Sequence, residues 1–302
     1  MDQLQRWIYS LQFKVAFLQK RGTEFQDWFV RIATHAYDTD FEPVRPYGNL
    51  GDRKCDGYQI STATVFQCYA PALLKDRELI AKIDGDFSGA LKHWPHLKRW
   101  VFVHNDSVSG GLPPTVVQHL HQLRQRHPII AIETWSEPQL RHLVMNLDLA
   151  QLEDLFGPAP SLNTLQQVGF ADLAPVIDAL AKIEPGEDMT INPPSPTKLE
   201  KNRLSPDAAG ILQQGRRKQS LVEDFLGRTA QPDIGEGIAE AFRQRYKELK
   251  ALNLEPDEIF GYLHQFAGLQ GDPRRQAAVF AVMSYFFHTC DIFEDPSDEA
   301  AP

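Results

Sequence analysis

The sequence predicts an α/β domain built on a mixed central sheet flanked by helices, followed by a separate all-α module. Three observations predict this. Short apolar, β-rich segments alternate with helical segments up to about residue 158, the pattern of a sheet covered by helices. A Pro-rich stretch, EPGEDMTINPPSPTK (184–198), then interrupts the chain with residues unsuited to a core. Beyond it every patterned segment has helical spacing and none is β-rich. The expected division is a first domain over 1–158, a Pro-rich linker over 159–200, an all-α interaction domain over 201–296 and a disordered tail over 297–302.

Each element has its own signal. Leu4, Ile8, Leu11, Val15 and Leu18 place an apolar stripe along a helix over 1–20. A second helix runs from a Thr23 cap to Tyr37 and buries Phe25, Phe29 and Ile32. After the turn-rich PVRPYGNLGDRKCDGY come two β-rich segments, Asp56–Ile60 and Thr64–Tyr69, joined by a tight turn at Ser61–Ala63. A helix follows over Asp76–His93, then a buried strand at RWVFVH (99–104). Pro113 and Pro114 open a helix that reaches Arg126, because a helix's first turn does not miss their amide protons. PIIAIET (128–134) reads as a second buried strand and Pro138–Leu147 as a further helix. The second part offers helices over Ala208–Leu226, Ile234–Leu252, Pro256–Leu263 and Arg274–His288.

A chain of 302 residues with 42% hydrophobic and 24% charged residues has the length of two domains and an ordinary globular composition. No apolar run approaches the roughly 18 residues that span a bilayer, and the N-terminus lacks the pattern of a signal peptide. Cys55, Cys68 and Cys290 form no CxxC pair, which points away from a disulfide framework or structural zinc and toward a reducing cytoplasm. The net charge of −9 is unevenly spread. Up to Pro158 there are 17 Lys and Arg against 18 Asp and Glu, leaving 14 against 22 beyond it. The acidity belongs to the second part, so charge neither supports nor excludes nucleic-acid chemistry in the first.

The residues that carry chemistry sit on the expected hairpin. Cleaving a phosphodiester takes a divalent cation, carboxylates that hold it, and a positive or polar group for the charge that develops. Strand side chains alternate faces, so an Asp at the start of one strand can meet two i, i+2 residues of the next. Here Asp56 opens one strand, Gln67 and Tyr69 share a face of the other, and Cys68 points away while its backbone carbonyl stays available to a metal. Glu24, on the preceding helix, is placed to reach the same end of the sheet. It reads equally as a first-turn acid stabilised by the helix dipole. Asp52 reads as a turn residue with metal contact as the alternative, and His104-Asn105-Asp106 as a strand-end turn that could line the cleft. His119 and His121 point apart on one helix, which argues against zinc. RRK (216–218) reads as a solvated face with partner or DNA contact as the alternative. AVFAVMSYFF (278–287) reads as core or as a docking surface for another subunit.

Taken together, Glu24, GNLGDRKCDG (48–57) and FQCYAP (66–71) resemble the Mrr-type branch of the PD-(D/E)xK restriction-endonuclease superfamily. The resemblance covers about residues 20–105. It implies a restriction-endonuclease-like fold, Mg²⁺ or Mn²⁺ as cofactor and DNA as substrate, with Asp56 as the metal-binding Asp, Gln67 at the second ligand position and Glu24 as the helical acid. Tyr69 stands where the family has its Lys, and a phenol carries no positive charge at pH 7. Lys54, then Lys75 and Lys82, are the candidates for a displaced lysine; without one the site is weak or inactive.

KNRLS (201–205), IAEAFRQRY (238–246) and SYFFHTCDIFEDP (284–296) are similar to C-terminal domains of effectors in ABC-three-component bacterial conflict systems, among them Lamassu-like antiphage defence. That resemblance implies two partners, an SMC/Rad50-like ATPase and a small third subunit; self-association of the module through its apolar helix is a further expectation from the residues themselves. The two resemblances imply a metal-dependent DNA endonuclease that partners hold in check. The alternative is an inactive nuclease fold serving as a DNA-binding or scaffold subunit. A stand-alone restriction enzyme is disfavoured, because an acidic helical module suits DNA recognition poorly.

Overall fold

The computed structural model describes residues 1–44, 53–72, 75–105, 111–182, 202–229, 231, 233–268 and 272–289. The chain separates into two compact units. One comprises Ala16–Leu155, the other Met1–Val15 together with Phe156–Pro302. The boundary falls inside the first helix, α1 (Gln3–Gln19).

The unit over Ala16–Leu155 holds a five-stranded sheet in the order β1-β2-β3-β4-β5. Strands β1 (Phe41–Pro43), β2 (Gly57–Gln59) and β3 (Thr64–Tyr69) pair antiparallel with one another, whereas β4 (Arg99–His104) and β5 (Ala131–Trp135) continue in parallel from β3. Parallel neighbours need crossovers, and α3 (Asp76–His93) and α4 (Pro114–Arg126) supply them. The two helices share one core with the sheet: Leu79, Ile83 and Phe87 of α3 and Val116, Leu120 and Leu123 of α4 meet Val65, Trp100 and Phe102. The opposite face carries Phe66, whose ring packs 5.4 Å from Phe29 of α2 (Gly22–Tyr37) and 5.3 Å from Trp135. Val65 and Phe66 thus enter different layers, as strand alternation requires. Helices α5 (Glu137–Met145) and α6 (Leu149–Phe156) follow β5.

Three elements here differ from expectation. β1 is too short, at three residues with one of them proline, to show a period-two pattern. The strand expected over 128–134 begins only at Ala131; Pro128–Ile130 form a turn in which Ile129 is 90% exposed. α2 has no side-chain cap from Thr23; it starts one residue earlier, at Gly22, whose backbone N–H donates to the Ala70 carbonyl at 2.7 Å.

In the other unit the described helices are α7 (Leu162–Gln166), α8 (Phe170–Leu180), α9 (Pro206–Gly215), α10 (Gln219–Gly227), α11 (Ile234–Ala251), α12 (Pro256–Phe266) and α13 (Pro273–Thr289). α7 and α8 occupy the first part of the stretch expected as a linker. The apolar stripe of Leu4, Ile8 and Leu11 is buried within this unit, so the start of the chain, expected in the α/β domain, is part of the helical one. Polar ties fix it there: Ser10 Oγ donates to Asp207 Oδ2 at 2.5 Å, and Lys14 Nζ sits 2.9 Å from Asp257 Oδ2. α13 runs through the centre, with Ala277–Ser284, Phe286 and Phe287 all buried. The apolar run at 278–287 is therefore core and not an exposed docking surface. α9 approaches it closely through Gly215, where an added Cβ would lie 2.6 Å from the Phe280 carbonyl oxygen. Of RRK (216–218), Arg216 and Arg217 are exposed, while Lys218 Nζ donates to the Gln166 and Val168 carbonyls at 2.6 and 3.0 Å, closing the C-terminal end of α7.

Candidate active site at the end of the β2–β3 hairpin

The hairpin places Asp56 by a simple register. Gly57 opposes Phe66, and the Asp56 N–H donates to the Phe66 carbonyl at 2.8 Å. Position 57 must be glycine, because a Cβ there would lie 2.2 Å from Cζ of Phe41. The regular ladder stops at Gly57, and the Asp56 side chain takes over its next step. Its Oδ2 accepts from the Cys68 backbone N–H at 2.6 Å and from Gln67 Nε2 at 2.9 Å. Its Oδ1 accepts from Gln26 Nε2 at 2.6 Å. A carboxylate that is only 1% exposed thus collects three donors, two from β3 and one from α2.

Gln67 adds the unusual feature. Its Nε2 is used on Asp56, but its Oε1 is buried and has no hydrogen-bond partner. A buried acceptor left without a donor is costly, on the order of 1–3 kcal/mol. Beside a buried carboxylate, such an oxygen is one a cation would satisfy. Asp56 and the Gln67 Oε1 therefore fit a hard divalent ion as a two-residue start of a coordination shell. Among the described residues no group of three His, Cys, Asp or Glu is placed to complete it.

The other expected residues fall as follows. Tyr69 is half-buried on the same strand face as Gln67, packs on Phe102 with ring centroids 6.2 Å apart, and is opposed in register by His104. Cys68 points to the other face, and burial, then Asp56 and Cys55, push its thiol well up while Lys82 opposes the shift, so the thiol is neutral. His104 is buried, and burial pushes its imidazole down to about 4. Glu24 is exposed on α2, and the contact that α2 makes with Asp56 comes from Gln26. Asp52 and Asp106 lie outside the described residues, as do Cys290 and the CDIFEDP segment. His119 pairs with Asp84 at 2.7 Å and is no metal cluster.

The lysines separate clearly. The strand expected to carry Lys54 on the Asp56 face does not extend back that far. Arg53 and Lys54 form a turn with φ of 51° and 61°, fastened by Trp94 Nε1 on the Arg53 carbonyl at 3.3 Å. From that turn Lys54 crosses Gly89 of α3, where an added Cβ would lie 2.5 Å from its Cγ, and its Nζ reaches Asp86 Oδ1 at 3.0 Å. Lys82, on the same helix, reaches Asp86 Oδ2 at 2.9 Å, and its Nζ lies 5.8 Å from the centroid of the Tyr69 ring. Lys75 is 66% exposed and pairs with Glu78. Gln26 and Asp86 are the two residues that the sequence alone did not single out. The spacing of Lys82 and Asp86 is visible, but it reads as an ordinary i, i+4 surface pair.

Residues 171–294 match the family described as C-terminal domain 10 of the ABC-three component (ABC-3C) systems. The match spans α8 to α13 and so takes in α8, which the sequence had placed in the linker. No curated protein and no solved structure matches the chain. Among the described residues no helix is long and apolar enough to cross a membrane.

Proposed function

We propose that the unit over Ala16–Leu155 is a restriction-endonuclease-like domain that hydrolyses DNA phosphodiesters with Mg²⁺ or Mn²⁺, as the effector of an ABC-three-component antiphage system. The observation that carries the reading is the pairing of the buried Asp56 carboxylate with the orphaned Oε1 of Gln67 on a strand that ends beside two lysines. The sheet supports it: an antiparallel hairpin bears the acid, and a parallel half brings the C-terminal ends of β3 and β4, Tyr69 and His104, to the same edge. Asp56 and Gln67 would hold the cation, with the Cys68 backbone carbonyl as a third oxygen on the same strand. The ion supplies Lewis-acid charge and lowers the pKa of water. A water would add to phosphorus as the bond to the leaving deoxyribose oxygen breaks, one proton leaving the water and one being taken up by that oxygen. The residues around Asp56 fix its carboxylate in place, so little reorganisation precedes the reaction.

The match at 171–294 supports membership of the system. In this reading the helical unit joins an SMC/Rad50-like ATPase and a third small protein, which keep the nuclease silent until it is needed. The second reading, a nuclease fold without catalysis that binds DNA or scaffolds the ATPase, rests on the three hydrogen bonds that already occupy Asp56. Incubating the full chain, alone and with the ATPase, on supercoiled plasmid and on structured RNA decides between them. Cleavage of plasmid that needs Mg²⁺ or Mn²⁺ and stops with chelator is expected. Binding of DNA without cleavage under every one of these conditions would favour the scaffold.

A further inference from the structure

Tyr69 occupies the strand position from which a lysine would reach the scissile phosphate, and the strand itself provides no cation in its place. The geometry supplies one from the helix above. Lys82 projects from α3 onto the Tyr69 ring, at 5.8 Å from its centroid, a distance at which an ammonium is attracted to an aromatic face. Asp86, one turn further along α3, holds it at 2.9 Å. Asp86 is itself 1% exposed, and a buried carboxylate is sustained only by partners that compensate its charge.

Two ammonium groups meet that single carboxylate. Lys54 arrives from the turn before Asp56 at 3.0 Å, with its stem lying over Gly89. One lysine on Asp86 would make a neutral pair with nothing left for a phosphate. Two lysines on one carboxylate leave one positive charge over among these three groups, and Lys82 is the member that sits over the strand of Gln67 and Tyr69. Resting on the nuclease reading above, we propose that Lys82 is the charge-stabilising residue that replaces the strand lysine. Asp86 is its positioning residue, and Lys54 neutralises Asp86 so that the charge of Lys82 stays available. Tyr69 then serves as the aromatic platform on which the ammonium rests, which accounts for a ring at this position.

The test places the lysine on either element. With the full chain, Lys82→Ala should lower Mg²⁺-dependent plasmid cleavage by about 10²–10³-fold, the usual loss for one charge-stabilising group. Lys92→Ala, an exposed lysine on the same helix, should leave it unchanged. Lys82→Arg should retain part of the rate, and adding Tyr69→Lys to Lys82→Ala should restore much of it by returning the charge from the strand. Asp86→Asn should lower the rate and shift its pH profile, with thermal unfolding followed in parallel to separate misplacement from misfolding. Wild-type rates in Lys82→Ala would overturn the inference and leave the nuclease reading standing. So would a loss that neither Lys82→Arg nor Tyr69→Lys relieves, since Lys82 would then be structural. If the unaltered chain cleaves nothing, the nuclease reading falls and takes the inference with it.

Discussion

Asp56→Asn should abolish cation-dependent cleavage and also destabilise the α/β unit by about 1–3 kcal/mol, the cost of leaving buried donors without acceptors. The two effects have one origin. The carboxylate faces Gln26 Nε2, Gln67 Nε2 and the Cys68 N–H at 2.6, 2.9 and 2.6 Å, all of them donors. An amide can present one oxygen to them, and its NH₂ must then face a donor. The loss of negative charge would remove the principal ligand of the proposed cation, and the steric match of Asn does not help. Differential scanning calorimetry beside the cleavage assay reads both. Full stability with lost activity would mean that the three contacts contribute little, and full activity would remove Asp56 from the site.

Acid should weaken the helical unit by an amount that one residue dominates. His264 is 2% exposed, lies between Phe260 and Phe280 with ring centroids 4.3 and 4.6 Å away, and has no partner for its Nε2. Burial pushes its pKa down to about 3. The unfolded chain takes up a proton near the ordinary value of about 6.5. The native state refuses it until pH falls to the folded value. Between those two values the unfolded state binds more protons, so the stability present above about pH 6.5 is lost as pH falls, by roughly 1.4 kcal/mol per pH unit. By about pH 4.5 the loss is on the order of 3 kcal/mol. His264→Leu should remove most of that slope and stay close to wild type at pH 7. Thermal unfolding at the two pH values measures it, and an unchanged slope in the variant would assign the acid sensitivity elsewhere. His104 adds a like effect in the α/β unit, over a window that closes near its value of about 4.

What the sequence showed and what it hid follow from which interactions are local. The β2–β3 hairpin was legible because alternation and a tight turn are short-range features, and Asp56, Gln67 and Tyr69 came with it. The 128–134 segment misled because Pro128 and two isoleucines read as an apolar strand, although proline has no N–H for the ladder and Ile129 faces solvent. α8 was hidden by the prolines of GPAP before it and by Pro175 within it. The stripe on α1 announced an apolar face but not its partner, which for Leu4, Ile8 and Leu11 is the helical unit. Asp86 was invisible for a related reason. Only the tertiary placement of α3 over β3, and the turn that throws Lys54 across Gly89, bring two lysines to one buried carboxylate. Glu24 and Gln26 differ by two residues on a helix, about half a turn, so the helix rotation that decides which of them meets Asp56 is fixed by Phe25 and Phe29 in the core.

Asp56 and Gln67 are proposed to gather a divalent cation. Calorimetric titration of Mn²⁺ into the full chain, with and without Asp56→Asn, tests this most directly, because binding is read without any DNA being cut. A saturable site is expected in the unaltered chain and should disappear in the variant, with Mg²⁺ competing for it. Mn²⁺ bound equally by both chains, or by neither, would contradict that role for Asp56.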